Sequence, residues 1–383
     1  MKFGWTLFLF ICTAGSAFAQ NGVPGFVMPS LAPVVQKDGT ILFKLRAPAA
    51  RQVFVKLEGT LVPMQKNKAG VWSALSKKME PDIYTYTYIV DSLSIADPSN
   101  PLMRSSYGST GPSLVTVKGE KPEKWELQDL PHGSVTHEIF RSALIGDSRD
   151  FYVYTPPGYD PRSADQYPVL YLLHGMGDDA RGWFQTGAAD IIMDNLIAEG
   201  KVVPMILVAT LGYGVAGTVV SPKSFDQFTQ SLVEEIIPLV QKKYRAADDA
   251  SRRAIAGLSM GGAQAAQAGL NHPELFNWIG AFSSAFMMYG ISGFGMGSSI
   301  SSLDSVYSKT FPHLNESINQ PVKLLWISCG NADFLAGNNR DFMKWLAGKK
   351  INFQRVETSG AHTWNVWRRN LIQFAPLLFQ KTN

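Results

Sequence analysis

The chain has 383 residues, 45% of them hydrophobic and 17% charged, enough to build two domains with real cores and too apolar for intrinsic disorder. Its 34 Gly and 22 Pro follow no fixed period, which argues for many loops and against a fibrous repeat. The formal net charge of +4 is scattered without a Lys/Arg run, so nucleic acid and anionic membrane are not expected partners.

Met1-Lys2, the apolar run from Trp5 to Cys12 and the small-residue end Ala17-Phe18-Ala19 have the three regions of a secretory signal peptide, with cleavage expected after Ala19. The apolar run falls short of the ~20 residues that a membrane span needs. No other stretch approaches that length, so a secreted or periplasmic protein without a membrane span is expected. Cleavage would remove Cys12 and leave Cys329 alone, with no partner for an internal disulfide.

Residues 20–118 read as an all-β domain. Residues 40–46 and 52–57 alternate apolar with polar, and residues 83–90 are β-branched or aromatic throughout. Turn signals at Lys37-Asp38-Gly39, Glu80-Pro81-Asp82 and Asp97-Pro98 separate them, a spacing that suggests a β-sandwich. Residues 119–134, rich in charge and Pro, read as a linker. From residue 135 to 383 the pattern changes. Residues 135–140 and 151–155 enter as a hairpin, followed by continuous apolar strands at 167–173, 202–210, 253–257, 278–282 and 322–328. Such runs fit parallel strands covered on both faces. Predicted helices at 188–198, 225–244, 261–270, 338–346 and 363–379 alternate with them, which implies a doubly wound α/β domain. Within 225–244, Phe228, Leu232, Ile236 and Val240 mark a buried face. Residues 287–321 show little periodicity and read as a lid or binding segment.

Gly257-Leu258-Ser259-Met260-Gly261 is a G-x-S-x-G with strand before it and helix after it, the context of a nucleophile elbow. The turn must be tight enough to expose the Ser hydroxyl, and side chains at Gly257 and Gly261 would clash. That hydroxyl needs a base. Of the six histidines, His132 and His137 precede the main sheet, His272 ends the elbow helix and His313 lies in an irregular segment. His362, between the last strand and the last helix, stands where the order Ser, acid, His requires the base. Among the acids between Ser259 and His362, Asp333 directly follows a strand, at the sheet edge where open α/β folds build their sites. An oxyanion hole is expected from the backbone N–H groups of Met260 and of Met176, the latter in His174-Gly175-Met176-Gly177. His174 reads as a structural hydrogen-bonding residue. Gly175 in that loop, and Trp183, Tyr213 and Trp364 near predicted strand ends, are candidate substrate-binding residues. The three aromatics fit a pocket wall and plain core equally well. No metal-ligand spacing is present, and no cofactor is expected.

Taken together, Tyr171 to Asp178 (Tyr-Leu-Leu-His-Gly-Met-Gly-Asp), the elbow, Cys329-Gly330-Asn331-Ala332-Asp333-Phe334-Leu335 and His362-Thr363-Trp364-Asn365-Val366-Trp367 resemble the esterase D-like branch of α/β-hydrolases. The likeness is strongest to bacterial feruloyl and acetylxylan esterases. It implies Ser259, Asp333 and His362 as the triad, the same three that chain order selects. One departure is Ala361, where the family usually carries a second Gly before the base. The front segment, through Phe43-Lys44-Leu45-Arg46-Ala47-Pro48 and Gly70-Val71-Trp72, resembles immunoglobulin-like early-set modules akin to glycogen-binding modules. The resemblance implies a secreted serine carboxylesterase that removes feruloyl or other hydroxycinnamoyl groups from plant cell-wall polysaccharide such as arabinoxylan. Acetylxylan and siderophore trilactones of the enterochelin type are the alternative substrates.

Overall fold

The structure, a computed structural model, describes residues 30–215, 221–290 and 303–380. The predicted signal peptide and residues 291–302 of the predicted lid segment lie outside these.

In the front part, alternation turns directly into burial. Strand Ile41–Arg46 buries Ile41, Phe43 and Leu45, strand Val53–Leu57 buries Val53, Val55 and Leu57, and strand Asp82–Val90 buries Tyr84, Tyr86 and Tyr88. These side chains meet between two sheets. One is four-stranded, in the order Val34–Val35, Ile41–Arg46, Val71–Leu75, Gln65–Lys66. The other is five-stranded: Thr60–Pro63, Val53–Leu57, Asp82–Val90 and Leu93–Ile95, with Ser113–Val117 also paired to Asp82–Val90. Residues that follow are pinned to the second part of the chain, where Asn195 Nδ2 donates to the carbonyls of Lys124 at 2.8 Å and Glu126 at 3.0 Å.

The second part is built on an eight-stranded sheet in the order Ser134–Arg141, Ser148–Thr155, Ile206–Thr210, Val169–Leu173, Arg253–Leu258, Trp278–Phe282, Leu324–Gly330, Gln354–Thr358. The first two strands are antiparallel and the other six run parallel. Strands Val169–Leu173 and Ile206–Thr210 begin two and four residues later than their apolar runs, at 167 and 202, suggest. Pro168 and Pro204 explain this, since a proline cannot donate to the ladder. Two apolar cores, one on each face, cover the sheet. The fold is thus an α/β-hydrolase preceded by an all-β region.

The helix predicted at 225–244 runs as Pro222–Ser231, a π segment Leu232–Ile236 and Ile237–Lys243. Apolar residues four apart would drift roughly 120° over three steps of a pure α-helix. The wider π turn takes back part of that drift, and Phe228, Leu232, Ile236 and Val240 all stay buried. The predicted lid segment is not wholly irregular: residues 303–310 form helix Leu303–Thr310, seated through buried Val306 and Tyr307. Its three apolar positions, Leu303, Val306 and Tyr307, have helical spacing but make less than two turns, too short a stretch to stand out among the Gly and Ser around it. Among the described residues no helix is long and apolar enough to cross a membrane.

The two parts meet across a buried ion pair. Asp82, at the start of its strand, accepts from Arg368 Nη2 at 2.6 Å and Nε at 3.1 Å, and from Arg369 Nη2 at 3.0 Å. Arg368 lies on helix Trp364–Phe374, and both Asp82 and Arg368 are fully buried. Its guanidinium also donates to the carbonyls of Thr186 and Ile83 and faces the Trp125 ring. The helix that begins two residues after His362 is therefore clamped to the front domain.

Candidate active site

Ser259 sits between the central strand Arg253–Leu258 and helix Met260–Asn271 with φ 54° and ψ −115°, a conformation costly for any residue with a Cβ. The strain is held by backbone bonds: Ser259 N–H donates to Phe282 O at 2.9 Å, and Ser259 O accepts from Ala285 N at 2.9 Å. A Cβ on Gly257 would lie 2.4 Å from the Gly261 backbone, and one on Gly261 would lie 2.5 Å from the carbonyls of Leu173 and His174. Backbone cannot move aside as a side chain can. Gly257→Ala is expected to lower the thermal midpoint by the equivalent of about 1–3 kcal/mol and to reduce kcat sharply, checked by calorimetry and ester hydrolysis.

His362 and Asp333 reach Ser259 from two loops that bond each other. Ala332 N–H donates to Gly360 O at 2.9 Å, Asn331 N–H to Thr358 O at 2.9 Å, and Gly360 N–H to Asn331 Oδ1 at 3.1 Å. Gly360, at φ 126°, needs its freedom there, and Gly330 comes so close that a Cβ would sit 2.4 Å from Gly360 O. The position after it tolerates Ala361. The result is a continuous chain of contacts. His362 Nδ1 is 2.8 Å from Asp333 Oδ2 and His362 Nε2 is 3.0 Å from Ser259 Oγ. A carboxylate can only accept, so Nδ1 carries the proton and Nε2 is free to accept from the Ser hydroxyl. Burial alone would raise the Asp333 carboxyl, but the bonds from His362 and from Leu335 N–H, at 2.8 Å, outweigh it and hold it below the ordinary value.

The other acids considered lie elsewhere. Glu274 pairs with His272, Glu316 with Lys350 and Glu357 with Arg355, while Asp304 accepts from Trp345. Asp341 is exposed on its helix. His132 pairs with Asp194 and His137 with Asp150. Among the described residues no cluster of His, Cys, Asp and Glu could hold a metal ion.

Met260 supplies the first N–H of the elbow helix, a group with no intrahelical carbonyl to meet. The opposite loop abuts the nucleophile, since a Cβ on Gly175 would fall 3.3 Å from Ser259 Cβ and 2.6 Å from Leu258 Cδ1. Met176 follows it, with a partly exposed side chain. The loop is held by buried His174, whose Nδ1 lies 2.7 Å from Gly175 O and whose Nε2 accepts from Gly212 N–H at 2.9 Å. Those partners allow only the neutral Nδ1–H form, and burial pushes the imidazole below its usual value. Tyr213 is buried. Its hydroxyl accepts from Gly177 N–H at 2.7 Å and its ring packs on His174, so it braces the loop from within the core. Trp183 is likewise core: it has no exposure, donates to Leu173 O at 3.0 Å and stacks edge-on against Trp364 and Phe282. Trp364 is nearly buried but lines a cleft beside His362.

Other residues around this site carry no signal in the motifs. A strap at residues 104–107, reaching from the front part of the chain, supports the loop that carries Met176. Tyr107 N–H donates to Gly177 O at 3.1 Å, Ser105 Oγ bonds the buried Asp178, and the Tyr107 ring packs on Tyr213. A buried Asp178 demands partners, which is the one hint the sequence offers. Phe334, 77% exposed, lies with its ring centroid 4.7 Å from that of His362. Trp367 meets the imidazole edge-on at 5.0 Å.

An elbow on a mostly parallel sheet, with Ser, His and Asp hydrogen-bonded at the strand ends, defines a hydrolase of the α/β class. The Esterase family model matches residues 142–378, and the chain belongs to that family. It is 29% identical over 365 residues, 91% of its length, to an endo-1,4-beta-xylanase/feruloyl esterase of Xylanibacter ruminicola, and covers 46% of that protein. The chain thus spans about half the length of such curated relatives. A solved ferulic acid esterase matches 64% of this chain and 97% of its own at 26% identity and TM-score 0.54. The enterochelin esterase of Shigella flexneri shares the fold over 91% of this chain and 95% of its own, at 19% identity and TM-score 0.67.

Proposed function

We propose that the protein is a secreted serine carboxylesterase that hydrolyses hydroxycinnamoyl esters, chiefly feruloyl, on plant cell-wall polysaccharide such as arabinoxylan. The observation that carries the reading is the chain Ser259–His362–Asp333, with contacts of 3.0 and 2.8 Å. Ser259 Oγ attacks the ester carbonyl while His362 Nε2 takes its proton. The developing oxyanion is received by Met260 N–H and Met176 N–H, each worth about 3–4 kcal/mol of barrier. On collapse the alcohol leaves with the proton from His362, and water then repeats the sequence on the acyl-enzyme. Asp333 holds the imidazole in the tautomer this requires.

The feruloyl preference is supported by the relative that aligns over 91% of the chain, an endo-1,4-beta-xylanase/feruloyl esterase. The fold shared with the enterochelin esterase keeps siderophore trilactones as a second reading, with acetylxylan as a third. Rates on methyl ferulate, acetylated xylan and an enterobactin-type trilactone separate them. A kcat/KM highest for methyl ferulate is expected, and a preference for either other substrate would reassign the enzyme.

Asp333→Asn is expected to cut kcat roughly 10⁴-fold by favouring the wrong imidazole tautomer. The variant also reports on stability. With its carboxyl held below 3.8 in the folded state, Asp333 stabilises the fold above that value, and the contribution is lost as pH falls through the lower folded value. The difference in thermal midpoint between wild type and Asp333→Asn should therefore be larger at pH 7 than at pH 3.

A further inference from the structure

We propose that the cleft between the front domain and His362 is the subsite for the alcohol half of the ester, and that it takes an uncharged, hydroxyl-rich ring such as a pentose. The proposal rests on the esterase reading. The cleft holds about 240 Å³ and is lined by Glu58, Gly59, Thr85 and Arg104 on one side and by His362, Thr363, Trp364 and Trp367 on the other. It is smaller than a typical drug-sized pocket, which fits one compact group.

Its position follows from the mechanism. The proton that His362 Nε2 takes from Ser259 must be returned to the departing alkoxide, so the alcohol lies against His362. His362 lines this cleft, whereas Ser259 and Met260 do not. The acyl half must then lie on the other side of the nucleophile.

Its chemistry follows from the groups left unpaired. Glu58 Oε1 accepts from Thr85 N–H at 2.5 Å and from the Thr85 hydroxyl at 2.8 Å, while Oε2 accepts from no described residue. The Arg104 side chain, 30% exposed, donates no hydrogen bond to a described residue, whereas the indole N–H groups of Trp364 and Trp367 are enclosed and offer the cleft only their rings. Among the described residues Arg104 makes one ion pair, with Asp178 at 3.7 Å. A guanidinium without a hydrogen-bond acceptor asks for a ligand with acceptor oxygens. Glu58 asks for one that also donates. Sugar hydroxyls do both. Glu58 opposes a carboxylate or phosphate, and Arg104 opposes a cation, so a neutral polyol is the class that suits both groups. The front domain thus helps to choose the leaving group.

The test compares methyl ferulate with a feruloyl ester of arabinose, so that the acyl half is constant. For wild type the kcat/KM of the sugar ester should exceed that of the methyl ester. Glu58→Ala should lower that ratio about tenfold, chiefly through the KM of the sugar ester. Glu58→Gln keeps the acceptor that Thr85 uses but turns the free oxygen into a donor, and should lower the ratio in the same direction. An unchanged ratio in both variants, with wild-type thermal midpoints, would overturn the proposal. Wild type that turned over neither ester would overturn the esterase reading itself.

Discussion

Ser259→Ala is expected to lower kcat for methyl ferulate by roughly 10⁴- to 10⁶-fold without loss of fold. The substitution keeps the Cβ and removes only the hydroxyl, so the backbone bonds that Ser259 makes with Phe282 and Ala285 persist. Cys329 does not stand ready as a second nucleophile. Burial pushes the Cys329 thiol up to about 12, and an un-ionised, enclosed thiol is inert. Residual rate should come from the oxyanion donors and substrate binding alone. Kinetics alongside calorimetry checks both halves of this expectation: a kcat near wild type would remove Ser259 from the mechanism, and a collapsed midpoint would make the kinetic loss uninformative.

Asp82→Ala is expected to be the most damaging single change to stability. It removes the counter-ion of Arg368, which has no solvent exposure and cannot be rehydrated without parting the front domain from helix Trp364–Phe374. Removing one partner of such a pair costs about 3–5 kcal/mol. In a protein of this size that corresponds to a fall on the order of 10 °C in the thermal midpoint. The clamped helix begins beside His362, so kcat should fall as well. Arg368→Ala is expected to be milder, because Arg369 still meets the Asp82 carboxylate at 3.0 Å. Thermal unfolding of the two variants side by side tests the order, and equal or negligible shifts would show that the domains do not depend on this pair.

The parts of the molecule legible in its sequence are those dictated by neighbours in the chain. Alternation at Ile41–Arg46 and Asp82–Val90 assigns a buried face because a strand turns every second side chain inward. Gly257 and Gly261 betray the elbow because their missing Cβ atoms are required within five residues of one another. Asp333 and His362 could be picked out by position, each following a strand of the parallel sheet. What was not legible depends on partners far along the chain. Nothing local distinguishes Asp82 or Arg368 from exposed charges, and they pair across 286 positions. The strap at residues 104–107 has no periodicity, and its role exists only because Gly177 and Asp178 fold beneath it. Trp183 and Trp364 look alike in sequence, and only packing decides that the first closes the core while the second also borders the cleft.

The proposed nucleophile is Ser259, activated by His362 and Asp333. It is tested most directly by labelling the protein with a fluorophosphonate probe and mapping the adduct by mass spectrometry. One adduct is expected, on the peptide that carries Ser259, formed in step with the loss of methyl ferulate hydrolysis. An adduct on another residue, or an unlabelled protein that still hydrolyses the ester, would contradict it.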